Sequence, residues 1–231
     1  MSDESAKAVQ EIAKTAGKAI DAGEKFGGFI SRFISGLLEQ GVGIFEDKLK
    51  YMRWERQQRL MKRTEEFMSN QGLEAPSKPI PLKLAVPLFQ AASIEDDDSL
   101  QDMWARLLIN STSIESGIDL NRAYIDILER LTPLEAQILE RIYSLPFNET
   151  QRKRVVTGQL PDTAVIEASL ENKYLEQPRD EVKLALANLA RLGCISLPTS
   201  WGGGEIFTSV NPTIMGKSFV EACTLKGKRE I

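Results

Sequence analysis

The sequence predicts a mainly α-helical protein. Long N-terminal helices and a central helical core precede a winged-helix-like C-terminal module with one small β-hairpin. Three observations predict this. Apolar side chains recur at i, i+3, i+4 and i+7 in several separate stretches, the spacing of one helix face. Prolines, glycines and acidic residues stand where those stretches should begin or end. Strand-like alternation is confined to residues 194–210, where it flanks Pro198 and Gly202-Gly203-Gly204. The expected divisions are an amphipathic long-helix region over 1–72, a helical core over 73–130 and the winged-helix-like module over 131–231.

Residues 3–22 read as a helix with Val9, Ile12, Ala13, Ala16, Ala19 and Ile20 on one side. Its small apolar residues and mixed charges leave it marginal alone, so it should pack on something else. Residues 26–45 carry only Arg32 and Glu39 as charges, and Phe26, Phe29, Ile30, Phe33, Ile34, Leu37 and Leu38 follow helical spacing. Glycines 27, 28, 36, 41 and 43 each weaken an isolated helix by about 1 kcal/mol. Three readings stay open: a membrane-surface or inserted helix, a helix packed on a partner through small residues, or a core helix. The length suits a span, but charges at 32 and 39 are costly at mid-bilayer. The contact residues expected for a protein partner, self-association or a membrane surface are Phe26, Phe29, Ile30, Phe33, Gly36 and Leu37.

Residues 46–70 turn strongly charged. Seven basic residues lie between 48 and 63, with Tyr51 and Trp54 among them. Such interleaving suits phosphates and bases, making Arg53, Arg56 and Arg59 candidate phosphate contacts. The competing reading is a long solvated helix with a core stripe of Phe45, Leu49, Met52, Leu60, Thr64 and Phe67, its charges offset by neighbouring-turn acids. Joined to 26–45, it would make one helix of some forty residues, ending at Gly72.

Residues 73–78 are linker-like, and Pro79 and Pro81 hold the chain extended after them. Pro87 either opens a helix over Leu88–Ser93 or kinks a longer one begun at Pro81. Glu95-Asp96-Asp97-Asp98 then reads as a helix start rather than a metal site, because oxygen ligands must converge from spaced positions. Leu100, Met103, Trp104, Leu107 and Leu108 form one apolar stripe, leaving Gln101, Asp102 and Arg106 for water. Together, PLKLAVPLFQAAS (residues 81–93), the acidic spacer and LQDMWARLLINS (residues 100–111) resemble the Abi-alpha (abortive infection alpha) family of bacterial proteins. The resemblance implies a mostly helical protein tied to antiviral defence, and it brings no agreed active site.

Residues 111–119 are polar, and 121–131 predict a short helix around Tyr124, Ile127, Leu128 and Leu131. Thr132-Pro133-Leu134-Glu135 is a capping box opening a helix through Ile138, Leu139, Ile142 and Tyr143. Residues 146–161 read as a loop exposing Arg152, Lys153 and Arg154, further candidate phosphate contacts. A short helix is expected over Val165–Leu170 and another over Asp180–Leu192, with Val182, Leu186, Leu189 and Ala190 inward and Gly193 as its stop. Cys194–Leu197 and Glu205–Val210 should pair as a hairpin, and Asn211-Pro212-Thr213 should start a last helix containing Met215, Phe219, Val220 and Cys223. Three helices, a hairpin and a closing helix are the layout of a winged helix, which the resemblance also fits.

Composition narrows the function. The chain has 231 residues, 42% apolar and 27% charged, with net charge −4; that balance argues against a nucleic-acid coat. The acidic excess sits in residues 73–130. With no histidine, the commonest general base and zinc ligand are missing. Cys194 and Cys223 are too few for a disulfide scaffold and read as buried free thiols. The polar N-terminus predicts no signal peptide, hence a cytoplasmic protein, peripheral to the inner membrane if residues 26–45 meet lipid. Helix 180–192 has no net charge, so it lacks the electrostatic footprint of a DNA-recognition helix. The sequence therefore predicts no enzyme, no cofactor, no metal and no small-molecule substrate. It predicts a defence component acting through protein or membrane-surface contacts of its N-terminal helices, with a winged-helix DNA-binding regulator as the alternative.

Overall fold

The computed structural model describes residues 24–34, 54–167 and 175–225. The chain is mainly α-helical, as its periodicity predicts, and divides into two compact units that meet between Ile125 and Asp126. Expectations for residues 3–22, and for Phe45, Leu49 and Met52, lie outside the described residues.

The first unit is all helix among its described residues. Helix α1 covers residues 24–31, α2 Trp54–Gln71, α3 Leu82–Ile94 and α4 Asp98–Thr112. The boundary itself falls within α5, Arg122–Leu128, where Ile125, Ile127 and Leu128 are buried. Helix α1 does not run on into a forty-residue helix. Residues 32–33 form a turn, and Ile34 makes a parallel bridge to Ile80, whose N–H donates to Phe33 O at 2.7 Å. This pairing satisfies backbone groups that a continued helix would have bonded internally. Pro87 lies inside α3, so the longer of its two expected helices forms; Pro81 precedes its first residue.

Helix α4 organises the unit. Asp97 caps it, accepting from Ser99 N at 2.9 Å and Leu100 N at 3.0 Å, so the acidic run is a helix start. The Ser99 hydroxyl and these backbone donors hold the Asp97 carboxyl below its usual range. Leu100, Met103, Trp104, Leu107 and Leu108 are all buried. Gln101, expected to face water, is wholly buried as well. Helix α2 packs chiefly on α4 and less on α3, with Leu60, Thr64 and Met68 inward. The buried Thr64 Oγ1, Trp104 Nε1 and Ser111 Oγ find no hydrogen-bond partner.

The second unit contains α6 (Pro133–Tyr143), α7 (Phe147–Thr150), α8 (Asp180–Arg191) and α9 (Ile214–Ala222) around a small antiparallel sheet. Strands β1 (Val155–Val156), β2 (Val165–Ile166), β3 (Ile195–Ser196) and β4 (Ser209–Pro212) lie in the order β2-β1-β4-β3. The expected hairpin forms, but its second strand pairs later than Glu205–Val210, with Ile195 opposite Pro212; Glu205 makes only an isolated bridge to Thr199. The helix expected over Val165–Leu170 does not start at Val165, where strand β2 instead pairs Val165 with Val156; residues 168–170 lie outside the described residues. Two consecutive β-branched residues fit a ladder as readily as a helix, and β1 supplies the partner. The stretch read as a loop over 146–161 holds both α7 and β1.

The capping box of α6 forms: Glu135 N donates to Thr132 Oγ1 and Thr132 N to Glu135 Oε2. Glu135 is itself buried, and its other oxygen accepts from Asn188 Nδ2 at 2.7 Å, tying α6 to α8. The Tyr143 hydroxyl donates to Cys194 O and accepts from Thr213 N at 2.9 Å, joining α6 to the end of β4. Burial pushes its pKa up to about 12. Cys194 and Cys223 are buried free thiols.

Candidate functional site

The expected contact residues of the N-terminal region fall into one cluster. Phe26, Phe29, Ile30 and Phe33 are buried. Phe89 of α3 meets three of those rings, at centroid distances of 6.2 Å (Phe26), 6.3 Å (Phe29) and 6.3 Å (Phe33). The first of these is edge-on, a favoured aromatic geometry. The apolar face expected to meet a partner or a bilayer is thus turned inward on its own unit. Gly36 and Leu37 lie outside the described residues.

Two glycines, Gly27 half-buried and Gly28 exposed, lie away from this aromatic face. A Cβ added at Gly27 or Gly28 would meet nothing within 4 Å. Near them, Ser31 Oγ donates to Gly28 O at 2.7 Å and Arg32 reaches Glu65 of α2 at 3.4 Å, an exposed pair. Helix α1 therefore has an aromatic face packed inside and two glycines that no described residue approaches.

The arginines of α2 make the second feature. Arg56, Arg59 and Arg63 recur at i, i+3 and i+7, so they share a face. Arg56 Nη1 lies 2.6 Å from Asp98, and Arg59 contacts both Asp98 at 3.1 Å and Asp102 at 3.0 Å. Arg63 grips Asp102 with two donors, Nε to Oδ1 at 2.8 Å and Nη2 to Oδ2 at 2.5 Å. Asp96 approaches Arg56 at 3.8 Å. Arg53 lies outside the described residues.

Burial grades this ladder. The side chains of Asp96 and Asp98 are 65% and 69% exposed, whereas that of Asp102 is 14% exposed. Exposed pairs contribute only ~0.2–1 kcal/mol, and sheltered bidentate pairs more. Burial alone would raise the Asp102 pKa, but hydrogen bonds from Arg63 and the charges of Arg59 and Arg63 outweigh it and lower the value. Its bond to Asp102 correspondingly raises Arg63.

Gln101 explains why the ladder holds its register. Its amide donates to Arg56 O at 3.0 Å and Ala92 O at 3.1 Å, and its carbonyl accepts from Arg59 Nη1 at 3.0 Å. One buried side chain thereby ties α2, α3 and α4 together, with both N–H groups and the oxygen satisfied. Periodicity assigned Gln101 to water; its three partners come from residues 9 to 45 positions away, beyond any local pattern. Arg63 and Arg106 also stack on Phe67, at 4.4 Å and 5.2 Å, a cation–π arrangement.

In the second unit, Arg152, Lys153 and Arg154 are exposed on the turn between α7 and β1. Both cations of α8 are engaged within the helix, Lys183 with Asp180 at 2.9 Å and Arg191 with Asn188 at 2.6 Å. Trp201 is fully exposed at the hairpin tip. The tip turn is held by Ser200 N to Gly204 O at 2.7 Å and by Gly203 at a positive φ of 85°.

Among the described residues, no group of three or more Cys, Asp or Glu is placed to hold a metal ion. Among them, too, no helix is long and apolar enough to cross a membrane. A scan against protein families matches the family described as "Abortive infection alpha" over residues 55–223. No curated protein and no solved structure matches the chain.

Proposed function

Because the chain belongs to the abortive infection alpha family, we propose that it is a non-enzymatic component of phage defence that acts by contacting another protein through its N-terminal helices. The observation that carries this reading is the pair of glycines on α1 that no described residue approaches. Phe26, Phe29 and Phe33 anchor one side of the helix to Phe89. On the other side a Cβ at Gly27 or Gly28 would meet nothing within 4 Å among the described residues. A glycine in a helix costs about 1 kcal/mol relative to alanine, and these two serve no close approach among the described residues. They do allow another backbone to come near, as small residues do at tightly packed helix interfaces. The partner is a helix, on this chain's twin or on another protein, and the buried aromatic face fixes α1 in place for it.

The test is Gly27→Leu with Gly28→Leu in the full chain, read by phage plating efficiency across a phage panel and by thermal melting. A Cβ at either position meets nothing within 4 Å among the described residues, so the variant should melt at or above wild type. Protection should nevertheless be lost. A folded variant that protects fully would remove α1 as the contact, and a wild-type chain that protects against no phage would remove the defence role.

A further inference from the structure

The sheet of the second unit has an edge that the α1 contact does not involve. We propose that strand β2 takes up an extended acidic peptide segment of another protein as a further strand, steered by the basic turn over residues 152–154. In the order β2-β1-β4-β3, β2 has a neighbour on one side only. Glu167 N donates to Arg154 O at 2.9 Å, beside the pair Val155–Ile166. Bonded and unbonded pairs alternate in an antiparallel ladder, so the N–H and C=O of Ile166 point away from β1. Neither group has a hydrogen-bond partner among the described residues. A donor and an acceptor on an open edge are what strand addition uses.

Edge strands are commonly guarded by a charge or a proline. Strand β2 has neither: it consists of Val165 and Ile166, and Val165 is 49% exposed. The far edge differs, because Cys194 O, just before β3, already accepts from the Tyr143 hydroxyl and from Thr213 Oγ1. Two residues make a short template, so charge must supply the rest of the recognition. Arg152, Lys153 and Arg154 stand at the Glu167 end of β2, where the turn enters β1. All three are exposed, and none makes an ion pair or side-chain hydrogen bond with a described residue. Their backbone is anchored: Arg152 N and Lys153 N donate to Glu149 O, and Gln151 Nε2 donates to Pro212 O at 2.9 Å.

Glu149 and Glu167 are acids of this same end, yet neither pairs with the three cations, which outnumber them. Asp162 is exposed beyond the other end of β2. The edge is therefore graded in charge along its length. A segment with carboxylates at the end near residues 152–154 and an apolar residue over Val165 complements both the charge and the exposed side chain. A nucleic-acid strand would use the cations alone and leave Ile166 and Val165 without a role.

The test screens the full chain against a bead-displayed library of random hexapeptides and measures the best binder, fluorescein-labelled, by anisotropy. Selected sequences should carry Asp or Glu at one end and β-branched residues beside them. Arg152→Gln with Lys153→Gln and Arg154→Gln should weaken that binding at least about tenfold. These side chains are exposed and unpaired, so circular dichroism should show the variant folded. N-methylation of alternate peptide amides keeps every side chain but removes strand pairing, and it should also cost at least about tenfold. A library that yields no binder, or only basic ones, overturns the proposal. So does binding that survives the triple substitution or the N-methylation, the latter leaving a charge contact without an added strand. Two further arms, sedimentation of the chain alone and anionic vesicles, use the same triple variant. A dimer or a vesicle complex lost in that variant, with no peptide selected, would assign the edge to a second copy or to lipid headgroups and overturn the peptide reading.

Discussion

Gly216 and Tyr143 approach each other so closely that a Cβ at Gly216 would stand 2.1 Å from the Tyr143 hydroxyl and 2.1 Å from Cys194 O. The glycine lies in the first turn of α9, three residues after Thr213, whose N–H donates to that same hydroxyl. The first turn of α9, the end of α6 and the start of β3 thus share one contact that leaves no space for a side chain.

Gly216→Ala should therefore destabilise the second unit by ~3 kcal/mol, the upper end of overpacking costs. A backbone carbonyl cannot step aside as a flexible side chain can. Thermal melting should show a Tm lower by more than about 5 °C. Gly202→Ala is the control, since a Cβ there meets nothing within 4 Å. Equal melting of the two variants would refute the close approach.

Asp102→Asn should cost roughly 2 kcal/mol at neutral pH, between the values for exposed and buried ion pairs. Its folded carboxyl titrates below the ordinary range because Arg63 and Arg59 outweigh burial. A group with a depressed folded pKa stabilises the fold above its unfolded pKa. That stability starts to fade near about pH 4 and is lost as pH falls through the lower folded value. Denaturant midpoints should show the gap between wild type and variant narrowing as pH drops from 6 toward 3. A gap independent of pH would contradict the pairing.

Trp104→Ala should cost ~3–5 kcal/mol, the range for deleting a buried aromatic. Trp104→Phe should cost far less than that. Trp104 Nε1 has no hydrogen-bond partner, so phenylalanine removes a buried orphan donor along with the lost ring volume. If the phenylalanine variant is as unstable as the alanine one, the indole N–H has a partner that this structure lacks.

The two thiols should be inert in the folded protein. Burial, and secondarily the charge of Glu135, push Cys194 up to about 12, so almost none of it is thiolate at neutral pH. Cys223 is 2% exposed. Ellman's reagent should label neither in buffer and both in denaturant. Rapid labelling of the native chain would show that the second unit opens.

The parts legible in the sequence obey local rules. Thr132 and Glu135 cap α6 because their partners lie three residues away, and Asp97 caps α4 through the next turn. The 100–108 stripe is buried because helical spacing puts its five apolar side chains on one side. Gly193 ends α8 at a φ of 75° that other residues rarely adopt. In each case sequence separation equals spatial proximity, so residue type and spacing suffice.

What the tertiary structure decided are the choices between partners far apart in the chain. Phe26, Phe29 and Phe33 had an apolar face whose cover no local pattern names; Phe89, some sixty residues on, supplies it. Gln101 reads as a water-facing position until Arg56 O, Ala92 O and Arg59 surround it. Val165 and Ile166 suit helix or strand equally until β1 offers a ladder. Arg56 and Arg59 read as phosphate contacts or as partners of neighbouring-turn acids until the acids of α4 meet them. Periodicity says which side of an element is apolar or charged. Only packing says what lies against that side, because burial and ion pairing depend on the partner's position in space and not on its distance along the chain.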